Sequence, residues 1–163
     1  MQNLSQLVYD YQISIELYKS LPADQVKRVF SQPMCDIEPV FMGFVNTYRH
    51  LAELIPKDWT VIDLGCAYNP QCFYFTEHKL YVAVDNFNEM TEMFQAPNTV
   101  IYRESINDFV SGHLKDFNLD ETFAILNYVP CWGMESNKIV RESFKNLYVY
   151  YPHGGYDIKK KLT

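Results

Sequence analysis

Apolar residues recur along this chain with two different periods. Over residues 1–57 the period is helical. Leu4, Leu7, Val8, Tyr11, Ile15 and Tyr18 fall close to helical spacing, which predicts an amphipathic helix over 4–21. Pro22 stops it and can open a second helix over 23–30, and Ser31-Gln32-Pro33 breaks the pattern again. Asp36 can cap a longer helix over 37–55, with Val40, Phe41, Phe44, Val45, Tyr48, Leu51 and Leu54 on one side. From residue 58 onward the pattern changes. Short apolar runs at 61–64, 80–84, 99–102, 122–126 and 146–151 predict five strands. Helical segments are expected between them, from about residue 70, over 86–94, over 108–114 and over 135–144. Strands alternating with helices point to an α/β fold with a mostly parallel sheet. The expected division is a helical layer, 1–57, and an α/β core, 58–163, within one compact domain.

The stretch 59–86 carries the most chemistry. It reads WTVIDLGCAYNPQCFYFTEHKLYVAVDN. The first apolar run ends in a turn containing Gly65, which can take backbone angles closed to other residues and lets a ligand approach the chain. Asn69 suits an N-cap and Pro70 the first helical position. The loop 65–69 is therefore expected to feed a helix N-terminus, whose N–H groups favour an anionic group. The second run ends abruptly in Asp85, 22 residues after Asp63. At the end of a neighbouring strand its two oxygens can accept both hydroxyls of a ribose.

Val61-Ile62-Asp63-Leu64-Gly65-Cys66-Ala67 resembles the first motif of class I S-adenosylmethionine-dependent methyltransferases, apolar-apolar-Asp-apolar-Gly-Cys-Gly-x-Gly. Val82-Ala83-Val84-Asp85 resembles the family's next motif, whose acidic residue holds the ribose. The resemblance covers roughly 59–151 and is strongest in the first two strands. The chain departs from it at Ala67, where a second glycine is usual, and at Asn69, where a third is frequent. Ala67 adds a methyl group near the expected cofactor path. The resemblance implies a three-layer α/β sandwich with a five-stranded, mostly parallel sheet in the order 3-2-1-4-5, behind an N-terminal helical layer. That layer either covers one sheet face or acts as a lid. S-adenosylmethionine is the implied cofactor, with Asp63, Gly65, Cys66, Ala67, Asp85, Asn86, Ser105 and Ile106 as cofactor-binding candidates. Ser105 or Asn107 can instead cap the following helix.

The fourth run leads into Asn127-Tyr128-Val129-Pro130-Cys131-Trp132. It loosely resembles the strand end that faces the acceptor in methyltransferases acting on amines, though Tyr128 and Val129 break the pattern. Asn127 and Tyr128 are the candidates for orienting an acceptor. Trp132 either stacks on a planar substrate or packs inside a stiff loop. His153 is either a base at a strand end or a solvent-facing side chain. The family ends in an antiparallel hairpin for which 156–163 leaves no room, so a truncated core is expected. Lys159-Lys160-Lys161 then reads as a solvated tail.

Composition narrows the partners. The 163 residues suit one domain with a real core. A net charge of −6 disfavours nucleic acid as main partner, which would require clustered Lys and Arg. Four cysteines, Cys35, Cys66, Cys72 and Cys131, form no Cys-x-x-Cys pair. Cys66, Cys72 and His78 invite a metal reading, but the turn accounts for Cys66 and a buried thiol behaves as a small hydrophobe. No metal is expected. Residues 1–20 carry polar side chains throughout, and no run is long enough to span a membrane, so a cytoplasmic protein is expected. A full Gly-x-Gly-x-x-Gly is absent, which weakens a dinucleotide oxidoreductase.

Two functions follow. One is a small S-adenosylmethionine-dependent methyltransferase with an unidentified acceptor. The other is a non-catalytic binding or regulatory module on the same fold. The fifth run, Leu147-Tyr148-Val149-Tyr150-Tyr151, is uncharged and strand-prone. Left as a sheet edge it invites either a covering element of its own chain or a homodimer.

Overall fold

The structure, a computed structural model, describes residues 47–66, 69–86, 95–127, 134–151 and 155–159. The chain divides into two compact units, Met1–Leu54 and Ile55–Thr163. Of the first unit residues 47–54 are described, and they are helical. The helices expected over 4–21, 23–30 and most of 86–94 lie outside the described residues.

The second unit is built on one sheet. Its strands are β1 (Thr60–Leu64), β2 (Leu80–Val84), β3 (Thr99–Tyr102), β4 (Thr122–Asn127), β5 (Asn146–Tyr151) and β6 (Gly155–Lys159). They lie in the order β3-β2-β1-β4-β5-β6. The first five are parallel, in the expected 3-2-1-4-5 arrangement. The sixth was not expected. It pairs antiparallel with β5, from Tyr151↔Gly155 to Leu147↔Lys159. The expectation of an open edge at β5 is corrected here in favour of a covering element of the same chain, and Lys159, read with Lys160 and Lys161 as a solvated tail, lies in β6. β5 is therefore no sheet edge, and the argument for a homodimer through it falls away. The signal was present: Tyr156 and Ile158 alternate with Asp157 and Lys159, and a short Pro/Gly-containing segment separates them from β5. That is a hairpin pattern as much as a chain stop.

Period-two alternation sorts the strands into two faces. Ile62 and Leu64 pair with Val82 and Val84 on β2. Ile62 pairs with Ala124, and Ala124 and Leu126 pair with Leu147 and Val149. These residues form one buried cluster with Phe109, Leu114, Val140 and Phe144. The last four come from or adjoin two helices, α1 (Ile106–His113) and α2 (Met134–Ser143). α1 starts where Ser105 Oγ accepts the Asp108 N–H at 3.1 Å, with Asp108 in the first turn and His113 in the last. The acid suits the N-terminal end of the helix dipole. Ile106, Phe109 and Val110 give α1 its inward stripe.

The opposite face carries Val61, Asp63, Tyr81, Ala83, Phe123 and Ile125, all 1% exposed or less. Beside it, a six-residue 3-10 helix, Pro70–Phe75, returns the chain towards β2. Phe75 stacks on Tyr81 at 5.0 Å and tilts against His78 at 5.1 Å. Asn98 ties this corner down by donating to the carbonyls of Phe75 and His78, each at 2.8 Å.

Two predictions follow from this packing. Gly112 lies in the last turn of α1, and an added Cβ would meet nothing within 4 Å. Gly112→Ala is expected to stabilise the fold by about 0.5–1 kcal/mol through reduced freedom of the unfolded chain. Urea denaturation checks it, with a higher midpoint at unchanged slope.

His78 gives the second. It is buried, its Nε2 lies 3.2 Å from the Ile55 carbonyl, and its buried Nδ1 has no partner. Burial holds its pKa below the ordinary value, and the charge of Lys57 adds to the effect. The unfolded chain therefore takes up the proton first. Stability is full above the unfolded pKa, about 6.5, and falls as pH drops through it towards the folded value. His78→Gln is expected to flatten this loss between about pH 7.5 and about pH 5. Equal losses for both proteins in urea titrations would contradict it.

Candidate functional site

The C-terminal ends of β1, β2 and β3 are stitched together by backbone hydrogen bonds. After Leu64 the chain turns at Gly65, whose φ is 78°. An L side chain is disfavoured there, which is why glycine occupies the position. The N–H groups of Gly65 and Cys66 both donate to the Val84 carbonyl, at 2.8 and 3.2 Å. The turn after β1 thus rests on the last residue of β2. Asp85 follows at once, and its N–H donates to the Tyr102 carbonyl at 3.1 Å. Asp85 is half-buried, whereas Asn86 is exposed.

The return loop is held from within. Cys66 O accepts the Asn69 N–H at 3.0 Å and the Gln71 side-chain amide at 2.9 Å. The same Gln71 nitrogen donates to Asp63 Oδ2 at 2.8 Å. Tyr81 O–H donates to that oxygen at 2.6 Å. Asp63 has no exposure and pairs in the sheet with Ala83 on one side and Ile125 on the other. A carboxylate among such neighbours is tolerated where donors reach it. Asn69 is fully buried with φ 64°, a left-handed conformation that asparagine tolerates better than most residues. It stands at the N-cap position of Pro70–Phe75 without a side-chain capping bond. The helix expected there is a 3-10 segment, and the Gly65 and Cys66 amides are already engaged by Val84.

Both described thiols are inert at neutral pH. Burial pushes the Cys66 thiol well up, and the nearby Asp63 and Asp85 carboxylates push it further. Burial likewise raises Cys72 to about 11. A thiol so protonated is neither nucleophile nor ready metal ligand. Among the described residues no group of three His, Cys, Asp or Glu side chains is placed to hold a metal ion.

The structure brings Gly65, Cys66 and Asp85 to one place and puts Asp63 beneath them. Ser105 stands where β3 passes into α1, and its hydroxyl both caps that helix and donates to Asp108 Oδ2 at 2.5 Å. Ile106 packs half-buried against the core. Asn127 closes β4, in register with Tyr150 of β5. Ala67, Tyr128, Trp132 and His153 lie outside the described residues. Sequence reasoning passed over Gln71 and Tyr81. Tyr81 had a signal: a tyrosine inside an otherwise apolar buried strand must find a partner for its hydroxyl. Gln71 had none.

No family model matches this sequence, and no curated protein sequence matches it. Among solved structures, one match is a candidate type II methyltransferase from Anaeromyxobacter dehalogenans, 16% identical with a TM-score of 0.49 over 65% of this chain and 46% of that one. Another is a candidate methyltransferase from Streptococcus mutans in complex with SAH, 13% identical with a TM-score of 0.46 over 74% of each chain. This chain thus spans less than half of the first protein's length. Among the described residues no helix is long and apolar enough to cross a membrane. With five parallel strands in the order β3-β2-β1-β4-β5 and helices packed on the sheet, the chain has a methyltransferase-like α/β fold.

Proposed function

We propose that the chain is a small S-adenosylmethionine-dependent methyltransferase. The observation that carries this reading is the joint between the Gly65 turn and Asp85. Two adjacent parallel strands end together, a positive-φ glycine on one and a half-buried carboxylate on the other, clasped through the Val84 carbonyl. The strand order reverses beside this point, between β1 and β4, where open α/β sheets take their ligands.

The residues present fit that cofactor. Asp85 is accessible enough to accept two ribose hydroxyls, while Asp63 is sealed inside and serves the turn from below. In this reading Gly65, Cys66 and Ala67 lie under the methionine part, Asp85 and Asn86 hold the ribose, and Ser105 and Ile106 border the adenine. The bound cofactor supplies an activated methyl group on a sulfonium. The chain's task is to position the acceptor in line with it and to exclude water. Asn127 and Tyr128, at the end of β4 and just beyond it, are assigned to orient the acceptor.

One observation favours a second reading, a non-catalytic binding module. The Gly65 and Cys66 amides are occupied by Val84, which leaves fewer donors for a ligand carboxylate.

Calorimetry with S-adenosylmethionine and its demethylated product separates the two. Binding of both is expected; absence of binding would sink the methyltransferase reading. Asp85→Ala should weaken binding by about 1.5–3 kcal/mol, the scale of hydrogen bonds to a charged group. Unchanged affinity in a folded variant would remove Asp85 from the site.

A further inference from the structure

We infer that Tyr81 and Gln71 are positioning residues that set the cofactor loop through Asp63. The inference rests on the methyltransferase reading and concerns residues which that reading does not use. Neither side chain lies on the ligand side of the turn. Tyr81 is the second residue of β2 and is fully buried, and Gln71 is buried within the 3-10 helix. Yet both donate to one carboxylate oxygen, at 2.6 and 2.8 Å. Asp63 is the second-last residue of β1, two before Gly65.

The geometry forms a brace with three feet. Asp63 belongs to the sheet. Tyr81 is locked by its stack on Phe75 and fixes the direction from which the carboxylate is held. Gln71 then spans from Asp63 to the Cys66 carbonyl, 2.9 Å away, so its amide joins the sheet to the turn itself. One amide nitrogen carries two hydrogens, and here they serve two acceptors. Asp63 Oδ2 therefore acts as a fixed reference for the height of Cys66 above β1. Displacing that carbonyl shifts Cys66 and, through the Asn69 N–H that it accepts, Asn69, the described residues beside which the methionine part of the cofactor would lie. The residues assigned to the adenosine part rest on other side-chain and backbone bonds, Asp85 N–H on the Tyr102 carbonyl and Ser105 Oγ on the Asp108 N–H.

That separation supplies the test. Tyr81→Phe keeps the ring and its stack while deleting the hydroxyl, and Gln71→Leu removes the span to Cys66. S-adenosylhomocysteine and 5′-methylthioadenosine serve as paired probes. Both carry adenine and ribose, and only the first carries the amino-acid part. Each variant is expected to bind S-adenosylhomocysteine about tenfold more weakly and 5′-methylthioadenosine as the native protein does. Hydrogen exchange should quicken at Asn69 and Cys72 while β4 amides stay protected. Unchanged affinity for S-adenosylhomocysteine, or equal losses for both probes, would overturn the positioning role and leave the methyltransferase reading standing. Failure of the native protein to bind either probe would overturn both.

Discussion

A single oxygen, Asp63 Oδ2, ties the C-terminal end of β1 to the loop that follows it. It accepts from a strand neighbour, Tyr81, and from the return loop, Gln71. Placing a carboxylate between Ala83 and Ile125 without donors would cost several kcal/mol. Hydrogen bonds to a charged acceptor each return about 1.5–3 kcal/mol. The acid is therefore tolerated only while the chain around it keeps one conformation. That dependence runs both ways. The carboxylate needs the loop folded back over β1, and the loop needs the carboxylate to orient Gln71 beneath Cys66.

The same constraint divides the two acids of the 59–86 stretch by environment. Asp63 is sealed, while Asp85 sits one residue past β2 with part of its surface open. Burial raises the pKa of the Cys66 thiol most, and the two nearby acids add to the shift. A polar end thus sits on a sheet whose other face is packed with aliphatic and aromatic side chains from β1, β2, β4 and β5 against α1 and α2. The face with Phe109 and Phe144 supplies hydrophobic stability. The face with Asp63 supplies definition at the turn. At the far side β6 closes the edge that β5 would otherwise offer to another chain.

Much of this was readable before any coordinates. The five parallel strands follow from short apolar runs separated by turn residues, and their bounds match at Thr99–Tyr102 and Asn146–Tyr151. The placement of Gly65 and Asp85 at strand ends follows from where the apolar runs stop. Their short length and bounding turn residues separate them from buried helices, which periodicity alone would not do. β6 was missed because its alternation is short and mixes charge with tyrosine. Only pairing with β5 makes a strand of Gly155–Lys159.

By itself the sequence determined which residues stand at the strand ends, because periodicity and turn chemistry are local. It also determined that a glycine leaves β1 and that an acid leaves β2. Tertiary structure alone decided what those residues do for one another. Asp63 and Asp85 look alike in sequence, each an acid at or near the end of an apolar run. Register sets one against Tyr81 and Gln71 inside the sheet and leaves the other at the surface. The Gly65 and Cys66 amides look available to a ligand until β2 brings the Val84 carbonyl beneath them. Hydrogen bonds between residues 8 to 19 positions apart depend on how strands align, and local pattern carries no record of that alignment.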